Sequence, residues 1–143
     1  MNVESILRNK GNAVATIRPS ATIREAVSML RRRGIGAIVV SENGSTVDGI
    51  LSERDIVHAL DDHGTNLLED RVEQLMTQRV ITCSPRDSLD ELMAKMTERR
   101  IRHIPVLRDG ALAGIVSIGD VVKHRLDEIE FEANSLRSFI AGA

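Results

Sequence analysis

One feature constrains this chain more than any other: a stretch of it is written twice. Gly49-Ile50-Leu51-Ser52-Glu53-Arg54-Asp55-Ile56-Val57 returns as Gly114-Ile115-Val116-Ser117-Ile118-Gly119-Asp120-Val121-Val122. Each copy holds a glycine, two apolar residues, a serine, two variable residues, an aspartate and two β-branched residues. That order reads as a strand running into a helix, with serine and aspartate at the junction. The repeat extends outward from there. Val14-Ala15-Thr16-Ile17-Arg18-Pro19 matches Val80-Ile81-Thr82-Cys83-Ser84-Pro85 at a shift of 66, and Thr22-Ile23-Arg24-Glu25 falls on Ser88-Leu89-Asp90-Glu91. The turn pairs Asn43-Gly44 and Asp109-Gly110 keep that shift; after one extra residue in the first copy it becomes 65, and Gly49 meets Gly114. A chain of 143 residues repeated in this way is two halves of about sixty residues each.

Each half predicts the same β-α-β-β-α order. A short β-branched strand (Val14 to Ile17; Val80 to Cys83) stops at proline. A helix then opens on Thr22…Glu25 or Ser88…Glu91, the spacing of a capping box, in which hydroxyl and carboxylate each satisfy a free backbone N–H. Its apolar face is Ile23, Ala26, Val27 and Leu30, or Leu89, Leu92, Met93 and Met96, a helical stripe. Arg31 to Arg33 and Arg99-Arg100 close the two helices, where positive charge suits the C-terminal dipole. A strand follows (Ala37 to Val40; Ile104 to Leu107), then Asn-Gly or Asp-Gly supplies the positive φ angles of a tight hairpin. A return strand (Val47 to Leu51; Leu112 to Val116) feeds the junction helix. Pro105, inside its strand, predicts an edge position or an unpaired N–H. A three-stranded sheet in each half cannot bury both its faces alone, and packing the two sheets together solves that.

The expected boundaries are a first repeat over residues 3–60, a polar connection over 61–71, a second repeat over 72–126 and a C-terminal helix extension over 127–143. Val72 to Met76 begins a short lead-in helix, echoed by Val3 to Leu7. In the last helix Val122, Leu126, Ile129, Ala133, Leu136 and Ile140 alternate steps of four and three, a seam suited to the protein body or to a dimer.

Composition removes several function classes. The net charge of −2, with no Trp or Tyr and only Phe131 and Phe139, leaves neither the basic footprint nor the stacking platforms of a nucleic-acid binder. Cys83 is the single cysteine, so an internal disulfide or multi-cysteine metal site is excluded, and by its alignment with Ile17 it is a buried apolar position. His58, His63 and His124 lack metal-ligand spacing. Met1 to Lys10 has no apolar signal core and no long apolar run occurs elsewhere, so a cytoplasmic protein without membrane contact is expected. No nucleophile–base pair is visible, and the expectation is a protein that is not an enzyme.

The two junction motifs, together with Met76-Thr77…Val80-Ile81-Thr82 and Arg102-His103-Ile104-Pro105-Val106, resemble a tandem pair of cystathionine-β-synthase (CBS) domains. These modules regulate other activities by sensing adenosine-containing ligands. The resemblance covers about residues 3 to 126. It implies an α+β fold in which two β-α-β-β-α repeats pack sheet to sheet around a pseudo-twofold axis, with two clefts between them. It further implies that Ser52, Arg54 and Asp55 share a cleft with Thr77, Val80, Ile101, Arg102 and His103. Ser117 and Asp120 share the other with Lys10 (Asn12 beside it), Val14, Ile35, Gly36 and Ala37. The ligands implied are AMP, ADP or ATP, or NAD(H), sensed as a measure of energy or redox state. The assembly implied is a disc-like homodimer whose output passes through the dimer or an unidentified protein partner.

The chemistry is sound on the residues alone. One carboxylate can accept both hydroxyls of a ribose diol, and a phosphate beside Ser52 or Ser117 meets free N–H groups at the positive end of a helix. Adenine suits an apolar slot edged by the backbone of Ile35 to Ala37 or Ile101 to His103. The copies differ: Gly119 stands where Arg54 does, and Gly36 and Ala37 where Arg102 and His103 do. The Asp55 cleft thus suits a compact phosphate such as AMP, and the Asp120 cleft leaves room for something longer, for which the resemblance implies an NAD-type dinucleotide. Ser-x-x-Asp is also a plain helix cap, and a cap can coexist with ligand contact. The alternative to a sensor is an interaction scaffold whose clefts never fill.

Overall fold

The computed structural model describes residues 1–11 and 13–142. It runs α1 (Val3–Lys10), β1 (Thr16–Ile17), α2 (Ile23–Arg33), β2 (Ala37–Val40), β3 (Gly49–Ser52), α3 (Glu53–His63), a 3₁₀ helix (Gly64–Glu69), α4 (Val72–Leu75), α5 (Leu89–Arg99), β4 (His103–Arg108), β5 (Ala111–Ser117) and α6 (Ile118–Gly142). The fold is α+β, two repeats related by pseudo-twofold symmetry, β-α-β-β-α in the first and with the opening strand reduced to a single bridge in the second, followed by a long C-terminal helix.

The first sheet has the order β1-β2-β3: β1 runs parallel to β2, with Thr16 opposite Val39 and Ile17 opposite Val40, and β2 runs antiparallel to β3. The second repeat departs from the expected strand over Val80 to Cys83. Only Cys83 pairs, opposite Val106, with its N–H donating to the Pro105 carbonyl at 3.0 Å and its carbonyl accepting from the Leu107 N–H at 2.9 Å. Pro105 supplies the reason. The next rung toward Ile81 needs an N–H at position 105, and proline has none. The hairpins diverge as well. Asp109 (φ 52°) and Gly110 (φ 81°) make the tight turn between β4 and β5. At Asn43-Gly44 only the glycine has positive φ, because Asn43 Oδ1 accepts from the N–H groups of Ser45 (2.8 Å) and Thr46 (2.9 Å) and opens a wider loop.

Helix caps follow the sequence. Thr22 and Ser88 hydroxyls accept from the N–H groups of Glu25 and Glu91 at 3.2 and 3.1 Å, one arm of the expected box. The connection after α3 is more structured than its polarity suggests, because Leu67 in the 3₁₀ helix is fully buried in the first core.

The lead-in helices are exchanged between the halves. Val3, Ile6 and Leu7 of α1 pack with Leu89, Leu92, Met96, Val106 and Val116 of the second repeat. Val72, Leu75 and Met76 at α4 pack with Ile23, Leu30, Ile38 and Leu51 of the first. Full burial of a side chain such as Ile6 or Leu7 contributes about 1.5–3 kcal/mol, so the exchange locks the halves together. It also explains the glycine that opens each motif. A Cβ at Gly49 would stand 2.5 Å from Met76 Sδ, and one at Gly114 2.6 Å from Leu7 Cδ2.

Candidate functional site

Each Ser-x-x-Asp sits at the handover from an edge strand to a helix, β3 to α3 and β5 to α6. In both copies the aspartate closes a complete capping box. Asp55 Oδ2 accepts from the Ser52 N–H (2.9 Å) and hydroxyl (3.1 Å), while the Asp55 N–H donates to Ser52 Oγ (3.3 Å). Asp120 Oδ2 does the same with Ser117 at 2.8 and 3.0 Å, and the Asp120 N–H returns a bond of 3.2 Å. The cap uses one carboxylate oxygen. Among the described residues no hydrogen bond reaches Oδ1 of either aspartate, so each retains an acceptor beyond its cap.

The first set of sequence-predicted residues comes together. Ser52, Arg54 and Asp55 from one repeat line a cavity of about 550 Å³ with Thr77, Val80, Ile101, Arg102 and His103 from the other. Its size falls within the range of small-molecule clefts. Backbone bonds fix the walls: the Glu53 N–H donates to the Gly36 carbonyl (3.0 Å), and by pseudosymmetry the Ile118 N–H donates to the Arg102 carbonyl (2.8 Å). Arg54 Nη1 donates to the Arg100 carbonyl at 2.9 Å, which ties α3 to the end of α5.

The second set centres on an ion pair. Lys10 Nζ lies 2.7 Å from Asp120 Oδ2 and 2.8 Å from the Ile115 carbonyl. Burial pushes the Asp120 carboxyl up, but the Lys10 hydrogen bond, the Ser117 N–H and the Lys10 charge outweigh it and hold the group below its ordinary value. Ser117 and Gly36 also line the first cavity. Val14 and Ile35 are half-buried, Ala37 is buried, and none of the three lines that cavity. Asn12 lies outside the described residues.

His103 stands between the two aspartate junctions. A Cβ on Gly36 would lie 3.1 Å from its Cε1, so the imidazole rests where the first repeat has no side chain. Burial lowers its pKa, with Arg102 and Lys10 adding to the effect and Glu53 and Asp120 opposing it, which leaves the ring neutral at pH 7. The sequence reading missed four lining residues that carry charge: Glu53, Arg79, Arg99 and Arg100. The last two were visible as a basic helix end, and only the fold turns that end toward the cavity.

Other groups are quiet. Cys83 is buried and its thiol is pushed up to about 12, first by burial and then by Asp87, against the opposing Lys95. Among the described residues no group of three metal-ligating side chains occurs, and no helix is long and apolar enough to cross a membrane.

The chain has clear relatives. The family model described as CBS domain matches twice, at residues 4–62 and 72–127. The mitochondrial CBS domain-containing protein CBSX3 of Arabidopsis thaliana is 35% identical over 125 residues, 85% of this chain; the chain spans 61% of that protein's length. The CBS-domain containing protein ATU1752 from Agrobacterium tumefaciens matches in structure with a TM-score of 0.85 at 43% identity, covering 87% of this chain and 99% of that one. The CBS domain pair of protein MJ0100, solved in complex with 5′-methylthioadenosine and S-adenosyl-L-methionine, matches with a TM-score of 0.78 at 26% identity, covering 90% of this chain and 98% of that one.

Proposed function

Since this chain belongs to the CBS domain family, as a tandem pair of the domain, we propose that it is a regulatory module that binds an adenosine-containing ligand between its two repeats and catalyses nothing itself. The observation that carries this reading is the 550 Å³ cleft, built from Ser52, Arg54 and Asp55 of one repeat and Thr77, Val80, Ile101, Arg102 and His103 of the other. Asp55 Oδ1 accepts from the ribose hydroxyls, Val80 and Ile101 flank the base, and Arg54 and Arg102 meet phosphate. The adenosine derivatives bound by the MJ0100 pair support the same ligand class. The Asp120 junction is the second site, with Lys10 at its mouth.

A ligand spanning both repeats favours the arrangement that fits it, and shifts the equilibrium only by its difference in affinity for the two states. The readout runs through a homodimer. The seam of α6 supports this: Val122, Leu126, Ile129, Leu136 and Ile140 are all about half exposed or more, and with Ala133 between Ile129 and Leu136 their steps of four and three match a facing helix with the same stripe. Sedimentation of the protein against a Leu126→Glu, Ile129→Glu variant reads the dimer directly.

A thermal melt with AMP, ADP, ATP and NAD(H) tests the ligand reading. A ligand at a hundred times its Kd adds about 2.7 kcal/mol to the folded state. A raised melting temperature with at least one of them is expected. No shift from any at millimolar concentration overturns the sensor and leaves the scaffold.

A further inference from the structure

The cleft holds more positive charge than a monophosphate needs. Arg54, Arg79, Arg99, Arg100 and Arg102 all line it, against two carboxylates, Glu53 and Asp55, in a protein whose net charge is −2. Among the described residues none of these five arginines is within ion-pair distance of a carboxylate. Elsewhere among the described residues four arginines, Arg24, Arg71, Arg108 and Arg125, have such a partner and seven do not, so it is the gathering of five on one cleft that sets this place apart. The cleft also continues past the end of α5 into a shallower depression of about 280 Å³ that shares Arg54, Arg100 and Arg102 and adds Thr97. The positive charge is therefore spread over several side chains and an adjoining depression, rather than held at a single point.

Arg100 sharpens the case. It is the C-cap of α5 in the left-handed region (φ 53°, ψ 44°), and its counterpart after α2 is Gly34 (φ 62°, ψ 40°). That conformation is routine for glycine and unfavourable for a residue with a Cβ. Strain of this kind collects where a side chain is needed.

Resting on the reading that this cleft takes an adenosine ligand, we propose that Arg79, Arg99 and Arg100 form a second anion station beyond Arg54 and Arg102, so that the cleft selects adenosine carrying two or more phosphates. Arg54 and Arg102 face the first phosphate. The other three face the next ones. A sulfonium such as S-adenosyl-L-methionine, which adds positive charge to the same place, is selected against.

The test is titration calorimetry of the whole protein with adenosine, AMP, ADP, ATP, S-adenosyl-L-methionine and tripolyphosphate, repeated on Arg79→Ala and Arg99→Ala. Both side chains are exposed and unpaired, and a ligand-free melt checks that the variants remain folded. ATP is expected to bind roughly tenfold more tightly than AMP, the size of one charged hydrogen bond gained, with ADP between them. In the variants ATP should fall toward AMP while AMP itself is unchanged. AMP binding as tightly as ATP, or variants that weaken both equally, overturns the outer station and leaves the adenosine cleft standing. Tripolyphosphate binding without any nucleoside, or no binding at all, overturns both.

Discussion

The two Ser-x-x-Asp junctions are the same object in different company. Their caps match to within 0.2 Å bond for bond, from Ser52 and Asp55 to Ser117 and Asp120. Around Asp55 the neighbours are arginines and an accessible cavity; around Asp120 an internal ammonium, Lys10, sits directly on the carboxylate. The motif thus determines the shape of the helix start, and the residues delivered by the other repeat determine what that start can bind. A ligand reaches Asp55 without breaking a side-chain contact from the other repeat. At Asp120 it must first compete with Lys10 or recruit it.

The sharpest way to break this comparison is to remove the two carboxylates in turn. Asp55→Ala is expected to weaken its cleft by about 1.5–3 kcal/mol, ten- to a hundredfold, because a charged hydrogen bond to the sugar is lost. Asp120→Ala should cost its site less, since the same substitution also frees Lys10 to meet a phosphate. Titration calorimetry reads both, and equal losses would mean that Lys10 does not set the two junctions apart. The cap goes with either aspartate, so a melt of each variant separates its structural cost from the loss of binding.

The opening glycines extend the comparison to packing. At Gly49 a methyl would meet Met76 Sδ at 2.5 Å, Met76 Cγ at 2.9 Å and the Thr77 carbonyl at 3.0 Å, whereas at Gly114 it would crowd only the end of Leu7. Gly49→Ala is therefore expected to destabilise by about 1–3 kcal/mol, the usual cost of overpacking, and Gly114→Ala by less. Urea unfolding of both variants measures the difference. The reverse order would mean that the exchanged lead-in helices are held less alike than the pseudosymmetry implies.

Much of this is legible in the chain. Period and turn chemistry place the helices over Ile23–Arg33 and Leu89–Arg99 and the strand over Ala37–Val40, because those signals are local and repeated. Pro105 reads as a ladder problem, but its consequence, the loss of the strand over Val80–Cys83, depends on which neighbour would have received the missing N–H. The residues that line the Asp55 cleft are grouped through the resemblance alone, since nothing in the order of the chain says that Asp55 faces Arg102. Arg99 and Arg100 read only as the basic end of a helix and Arg79 is not singled out, because a sequence gives the sign of a charge and not the direction it faces.

Arg100 against Gly34 offers a smaller and cleaner contrast. Arg100→Gly removes a Cβ from a left-handed position and is expected to raise stability by about 1 kcal/mol. The Arg100 carbonyl that accepts from Arg54 stays in place. If the arginine is kept for its side chain, this variant melts higher and binds ATP more weakly. A variant that melts higher and binds as before would make the strain purposeless.

The least perturbing contrast is electrostatic. Burial pushes the Asp120 carboxyl up, yet it is held below its ordinary value of 3.8, and the Lys10 hydrogen bond is the strongest of the influences that outweigh burial. A depressed carboxyl binds its proton less readily in the folded state than in the unfolded one. Its contribution to stability is therefore complete above the unfolded pKa, near 3.9, and is lost as the pH falls through the folded value. The pair is partly exposed, 34% for the lysine and 24% for the aspartate, so it contributes only about 0.2–1 kcal/mol. Lys10→Met should raise the Asp120 midpoint in a carboxyl NMR titration, shrink the loss of stability below pH 4, and ease entry of uncharged adenosine at this junction. An Asp120 midpoint that stays where it was would show that the ammonium does not rest on the carboxylate in solution, and the two junctions would then differ only in the arginines around Asp55.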